Sequence, residues 1–217
     1  MRFTIGYINY NHDVFERHLN KSIKNLKGKF DIISTSSEDC PAKNYNKIIE
    51  NSPNDWIILT HQDISFSEDL IEKIELTMKT LDEKKYKYSA LGLVGIDINT
   101  DDYRFSNLEE IYELETCDCC FIVINKNNPV RFDSDLFDDF HLYVEDYCVS
   151  VKQFGSIYTI LGVLSNDFDQ NIRNLTDTDS FILHHSETVK LRGFAWGRYF
   201  EYKERLKSKW GKEIKTT

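Results

Sequence analysis

An imidazole and a carboxylate two residues apart, His61 and Asp63 in "ILTHQDISF", are the first side chains in this chain with the types and spacing for chemistry. A strand puts residues two apart on one face, so both could meet one ligand. Imidazole beside carboxylate is a mixed N/O donor pair, suited to Mn²⁺ or another divalent ion that carries a phosphate. The plainer alternative is a strand-end Asp that caps the next helix. A second set lies in "RFDSDLFDDFHLYVEDY", with Asp133, Asp135, Asp138, Asp139, Glu145 and Asp146. Asp133, Asp135 and Asp138 read as a solvated loop. Glu145 and Asp146 fall in a helical pattern beside Phe140, His141 and Tyr143. A carboxylate held there can act as general base on a hydroxyl, and Asp146 takes that role ahead of helix capping. The third set is His184 and His185 in "ILHHSE". They face opposite ways on an extended segment, so at most one joins His61 and Asp63. The three sets together could make an open site of two or three metal ligands with a base opposite.

The elements that must position these groups follow from periodicity. "WIIL" before His61 is a short, wholly apolar run, as expected of a strand buried on both faces of a parallel sheet. After it, Ser65 and Ser67 are candidate N-caps, and Leu70, Ile71, Ile74 and Met78 recur at helical spacing, which predicts a helix over 67–81. The strands "RFTIGYIN", "KFDIIST" and "SALGLVGI" alternate with the helices "HDVFERHLNKSIKNL" and "PAKNYNKIIEN", the latter opened by Pro41. This order predicts an α/β fold with a mostly parallel, mixed sheet and helices on both faces. Beyond it, "DINTDDYRFSNLEEIYE" reads as a polar stretch, "TCDCCFIVIN" as one strand, and "LYVEDYCVSVKQFG" as a helix with a C-cap signal at Gly155. "SIYTILGV" and "SFILHHSE" read as strands.

Composition bounds the function. The chain has 217 residues, 41% hydrophobic and 13% aromatic, which suits one α/β domain. A net charge of -9 argues against general nucleic-acid binding. From Glu187 onward nine Lys/Arg face four Glu, a net +5, which leaves -14 for the remainder. Residues 1–190 therefore read as the domain and 191–217 as a basic, amphipathic helical tail. That tail packs on the domain in the favoured reading; contact with a membrane surface or a partner is the other. No apolar run approaches the ~20 residues of a membrane span and no leader pattern opens the chain, so a cytoplasmic protein is expected. Cys117 and Cys120 are formally a C-x-x-C pair. They read as buried strand thiols, since no second pair with zinc-ligand spacing accompanies them.

Six segments in this order resemble the nucleotide-sugar glycosyltransferases of family 2, which have the A-type glycosyltransferase fold. The resemblance is to a bacterial branch with His-Gln-Asp in place of Asp-x-Asp. It rests on "ILTHQDISF", "KNYNKII", "SALGLVGI", "ETCDCCFIVIN", the Phe-His-x-Tyr-x-x-Asp of "FHLYVED", and "LHHS", and covers roughly residues 3 to 190. It implies a divalent metal, Mn²⁺ or Mg²⁺, held by Asp63 and completed by His184, which the His-x-Ser match favours over His185. Donor-nucleotide contacts are implied at Tyr10, Asn46, His61, Gln62 and Asp63, with Glu38 or Asp39 near the base. Acceptor or sugar contacts are implied at Asp118, His141, Tyr143 and Glu145. Asp146 becomes the base of an inverting transfer from a nucleoside-diphosphate sugar, UDP-sugar first, to a glycan, lipid-linked or protein-linked acceptor in polysaccharide or glycoprotein assembly. The same resemblance also fits a nucleotide-sugar-binding or assembly module without catalysis. A nucleotidyltransferase would want a glycine-rich loop after the first strand, and "NYNHDVFERH" has no glycine.

Overall fold

Alternating β-rich and helical runs produce β1 (Phe3–Asn9), α1 (His12–Arg17), α2 (Leu19–Asn25), β2 (Phe30–Ser36), α3 (Pro41–Asn51), β3 (Trp56–Thr60), β4 (Ile64–Phe66) and α4 (Leu70–Glu83). There follow β5 (Tyr88–Gly92), β6 (Val94–Asp97), β7 (Tyr103–Phe105), β8 (Glu113–Cys117), β9 (Phe121–Asn125) and α5 (Tyr143–Val151). The last elements are β10 (Ser156–Thr159), β11 (Leu164–Asn166), β12 (Phe181–His184) and a C-terminal helix, α6 (Trp196–Trp210). The computed structural model describes residues 1–166, 180–187 and 196–216.

A nine-stranded sheet runs β2-β1-β3-β9-β5-β10-β8-β6-β7. The pairs β1/β2, β1/β3 and β5/β10 are parallel, and β9 is antiparallel to both of its neighbours, β3 and β5. Strands β10, β8, β6 and β7 then alternate in direction. Six of the nine strands (β1, β2, β3, β5, β6 and β10) therefore share one direction. A separate three-stranded sheet, β11-β12-β4, stands beside it.

Side-chain alternation divides the core between the two sheet faces. Ile57, Ala90, Ile122 and Ile124 join α3, α5 and α6 on one side. Ile58, Leu91, Phe121 and Val123 join α2 and α4 on the other. The C-terminal helix belongs to the first core: Tyr202 and Leu206 are buried, as is Ile214 beyond it, while Trp196 and Phe200 stay 61% and 58% exposed. The expected domain boundary at 190/191 lies outside the described residues. Among the described residues no helix is long and apolar enough to cross a membrane.

Several elements differ from the periodicity reading. The first helix breaks at His18, whose φ of -118° and ψ of -83° are not helical, giving α1 and α2. "TCDCCFIVIN" is two strands, β8 and β9, with Asp118 to Cys120 as the turn between them. "SALGLVGI" likewise divides into β5 and β6. Ser65 belongs to β4, and the N-cap of α4 is Asp69, to which Ser67 Oγ donates at 2.7 Å. The polar stretch contains β7. Helix α5 ends at Val151 with Lys152 as its cap. Gly155 sits where a Cβ would lie 2.7 Å from the Tyr88 carbonyl carbon, so close approach to β5 explains the glycine better than helix capping does.

Candidate functional site

Three chain segments meet at the carboxyl end of β3. The first is His61–Asp63, directly after the strand. The second is the β8–β9 turn: β3 pairs antiparallel with β9, Thr60 opposite Phe121, and the His61 N–H donates to the Cys120 carbonyl at 2.9 Å. The third is the end of β12, which pairs antiparallel with β4 and sets His184 opposite Ile64, next to Asp63. Sheet register, rather than any local motif, thus places a residue about 120 positions away beside the His-x-Asp pair.

Ligand atoms of His61, Asp63 and His184 all lie within 4.8 Å of one another. His184 Nε2 is 3.5 Å from Asp63 Oδ1, and the His61 and His184 rings meet edge-on with centroids 5.6 Å apart. Asp63 is fully buried while both imidazoles are partly exposed. Burial holds the His61 imidazole below its ordinary pKa, against the opposing pull of Asp63, so a neutral ligand nitrogen is available at neutral pH. A buried carboxylate flanked by two imidazoles suits a divalent cation such as Mn²⁺, and these residues fit the ion that the resemblance implies. His185 turns the other way. Its N–H donates to the Asp63 carbonyl, its Nε2 lies 2.9 Å from Ser65 Oγ, and its ring stacks on His18 at 3.8 Å.

The remaining candidates divide between site and scaffold. Asp118 is half-buried in the β8–β9 turn, beside the metal-competent trio, and its Oδ1 accepts the Cys120 N–H at 2.7 Å. Tyr10, after β1, packs on Phe140 at 4.9 Å. Gln62, expected as a donor contact, is engaged by the fold. It is 3% exposed, and its Oε1 accepts the backbone N–H groups of both Tyr10 and Asn11 at 3.0 Å, which fixes the β1–α1 loop. Asn46 is similarly engaged: its amide donates to the Phe132 carbonyl at 2.8 Å and accepts the Phe132 N–H at 2.9 Å. It anchors the acidic loop. Asp39 holds Lys43 and Lys47 at 2.8 and 2.5 Å. Tyr143, expected as an acceptor wall, is wholly buried among Tyr45 and Phe132 and belongs to the core. His141 is half-buried, edge-on to Tyr199 of α6 at 5.9 Å.

Glu145 and Asp146 lie in the first turn of α5, preceded by Leu142 at a left-handed φ of 62°. Both are buried, but they face different neighbours. Glu145 adds its negative charge to the surroundings of Cys117 and Cys119, on the Asp118 side. Asp146 lies under α6: Lys209 Nζ donates to its Oδ2 at 2.8 Å and Trp210 Nε1 to its Oδ1 at 2.9 Å. Burial raises its pKa, and the bonds from Lys209 and Trp210 pull it partly back. Two of the three acids expected to be solvated, Asp133 and Asp138, pair with cations of the same helix, as does Asp139. Lys209 also binds Asp133 at 2.8 Å, Asp138 accepts from Tyr202, and Arg198 pairs with Asp139 at 3.3 Å. The +5 tail thereby offsets the acidic loop. Neither the periodicity of α6 nor the spacing of the acids signals that pairing, because it joins residues more than 50 positions apart.

No protein-family profile and no curated protein matches the sequence. The fold does have solved counterparts. Staphylococcus aureus TarS residues 1–349 in complex with UDP-GlcNAc superposes with a TM-score of 0.56 at 12% identity, over 96% of this chain and 66% of that one. GalNAc-T7, solved with UDP, GalNAc and Mn²⁺, gives 0.55 at 8% identity, over 95% and 51%. This chain thus spans under two thirds of the TarS length and about half that of GalNAc-T7. A mixed sheet covered by helices, ligand-competent residues at the carboxyl end of β3 and these superpositions lead to one conclusion: the chain has the GT-A nucleotide-diphospho-sugar transferase fold.

Proposed function

We propose that this chain is the donor-binding and transfer domain of an inverting, metal-assisted glycosyltransferase, taking a sugar from a nucleoside diphosphate, UDP first, to a glycan acceptor. The observation that carries this reading is the convergence of His61, Asp63 and His184 at the carboxyl end of β3, where open α/β sheets bind ligands. These three residues would hold the divalent ion, whose role is to neutralise charge on the departing diphosphate. Tyr10, held by Gln62 and packed on Phe140, would border the donor. In the transfer, the acceptor oxygen bonds to the anomeric carbon as the bond to the diphosphate breaks. The acceptor proton passes to a carboxylate, Asp146, with inversion of configuration.

The test is nucleotide binding by thermal shift with UDP, GDP and dTDP, each with and without Mn²⁺. A ligand at 100-fold its dissociation constant stabilises by ~2.7 kcal/mol. Asp63→Ala and Asp63→Asn should abolish the Mn²⁺-dependent shift, with His61→Ala weakening it less. Equal shifts in Asp63→Asn and the natural protein would remove the metal-site reading.

One observation favours a second reading, a binding or assembly module without catalysis. Both oxygens of Asp146 are bonded to α6, and the residue is 1% exposed. A general base must come within hydrogen-bond reach of the acceptor hydroxyl, so transfer would require that carboxylate to change partners.

A further inference from the structure

His184 stands between two sets of donor atoms. On one side are His61 and Asp63. On the other are Asp118 and Cys120, whose ligand atoms lie with that of His184 within 4.8 Å of one another. The β8–β9 turn builds this second set. The Asp118 carboxylate accepts the Cys120 N–H at 2.7 Å, so carboxylate and thiol are carried by one three-residue turn. The bond from the His61 N–H to the Cys120 carbonyl, 2.9 Å, ties that turn to the end of β3.

The two sets differ in chemical softness. Two imidazoles and a carboxylate accept Mn²⁺, whereas thiolate, imidazole and carboxylate are the donors of a tetrahedral zinc site. We propose that Asp118, Cys120 and His184 form a second divalent-cation site, one that takes Zn²⁺. Binding forms an S–Zn bond and releases the Cys120 thiol proton to solvent; nothing is oxidised or reduced. Three protein ligands leave a fourth position for water. Cys120 is 1% exposed, while Asp118 and His184 are half-buried, so the ion enters from their side. Because His184 belongs to both sets, Zn²⁺ here competes with an ion held by His61 and Asp63. Zn²⁺ is therefore an antagonist of Mn²⁺-supported nucleotide binding, a consequence that rests on the function proposed above. The site itself rests on ligand geometry alone.

Co²⁺, as a spectroscopic stand-in for Zn²⁺, tests the site on the full chain with its thiols reduced. The natural protein and Cys119→Ser should both show a sulfur-to-cobalt charge-transfer band that Zn²⁺ abolishes. Cys120→Ser should lose the band, and any Zn²⁺ it still binds should have a shell of nitrogen and oxygen only, since His61, Asp63 and His184 remain. Its Mn²⁺ affinity should change less than about threefold, since the thiolate is the soft ligand. Should Cys120→Ser fail to fold, zinc X-ray absorption on the natural protein decides, with one sulfur expected at about 2.3 Å. The proposal is overturned by Co²⁺ binding without the band, by a band that survives in Cys120→Ser, by a zinc shell of nitrogen and oxygen only in the natural protein, or by no Co²⁺ binding at all. None of these outcomes depends on sugar transfer, so the site can fail while the transferase reading stands, and the reverse.

Discussion

At the scale of single residues, Asp146 at the start of α5 is where the proposed transfer chemistry can be tested. General-base catalysis is typically worth ~10²- to 10⁴-fold. If Asp146 is the base, Asp146→Asn should bind nucleotide and Mn²⁺ almost normally and lose transfer by about that factor. Transfer at the natural rate in Asp146→Asn would sink that assignment, and a natural protein that turns over no nucleotide sugar would favour the binding module. Lys209 supplies a second test. Burial lowers its pKa, but its bonds to Asp133 and Asp146 outweigh that and raise it. Lys209→Met would leave the Asp146 carboxylate bonded to Trp210, a loss expected to cost roughly 1–3 kcal/mol at neutral pH. The folded-state pKa of Asp146 is already raised by burial and would rise further in this variant. A raised carboxyl pKa penalises the charged form in the folded state. The deficit should therefore shrink as pH falls and Asp146 protonates. Urea denaturation of both proteins at neutral and mildly acidic pH measures this. An equal deficit at both would mean that Lys209 acts through packing on Phe137 and Trp210, whose ring centroids are 5.9 and 5.6 Å from its Nζ.

Among the elements, α6 has the largest consequence for stability. Its buried residues fill one face of the domain core, and its cations neutralise the loop that precedes α5. Most of those ion pairs are solvent-exposed and contribute little, so apolar burial should dominate. Leu206, 1% exposed, tests this: Leu206→Ala should destabilise by roughly 2–5 kcal/mol, read by urea or thermal denaturation. Truncation after Thr188 removes Tyr202, Leu206 and Ile214 together and should lower the melting temperature further. A truncated chain as stable as the whole would mean that the helix is an appendage, and would turn attention to exposed Trp196 and Phe200 as contacts for a membrane or partner.

For the whole molecule, paired surface carboxylates make stability sensitive to acid. Asp31, bonded to Arg2 and Asn54, has its pKa lowered to about 2 from an ordinary 3.8. Asp39, bonded to Lys43 and Lys47, is also lowered to about 2. Depressed carboxyl pKa values stabilise the fold above the ordinary value, and that contribution disappears as pH falls through about 2. Arg2→Ala should therefore melt below the natural protein at neutral pH, and the two melting curves should converge in strong acid. A gap that persists in acid would show that Arg2 contributes by something other than its charge.

Much of the framework was legible from local sequence. The apolar run "WIIL" marks β3, Pro41 opens α3, and the His-x-Asp at the end of β3 sits where the sheet direction brings ligands. Each of these depends on periodicity or on backbone constraints that act over a few residues. The site needed the tertiary structure. The β4–β12 pairing, which puts His184 rather than His185 beside Asp63, is a matter of register between distant strands. The same holds for the β8–β9 turn, which brings Asp118 and Cys120 to His61. Gln62 and Asn46 look like ligand contacts by type, but packing gives their amides to distant backbone groups. Asp146 reads from the sequence as a base able to meet a hydroxyl, until α6 folds over it. Side-chain type sets what chemistry a residue can offer, whereas long-range pairing and burial decide which residues meet and which are left to face a ligand.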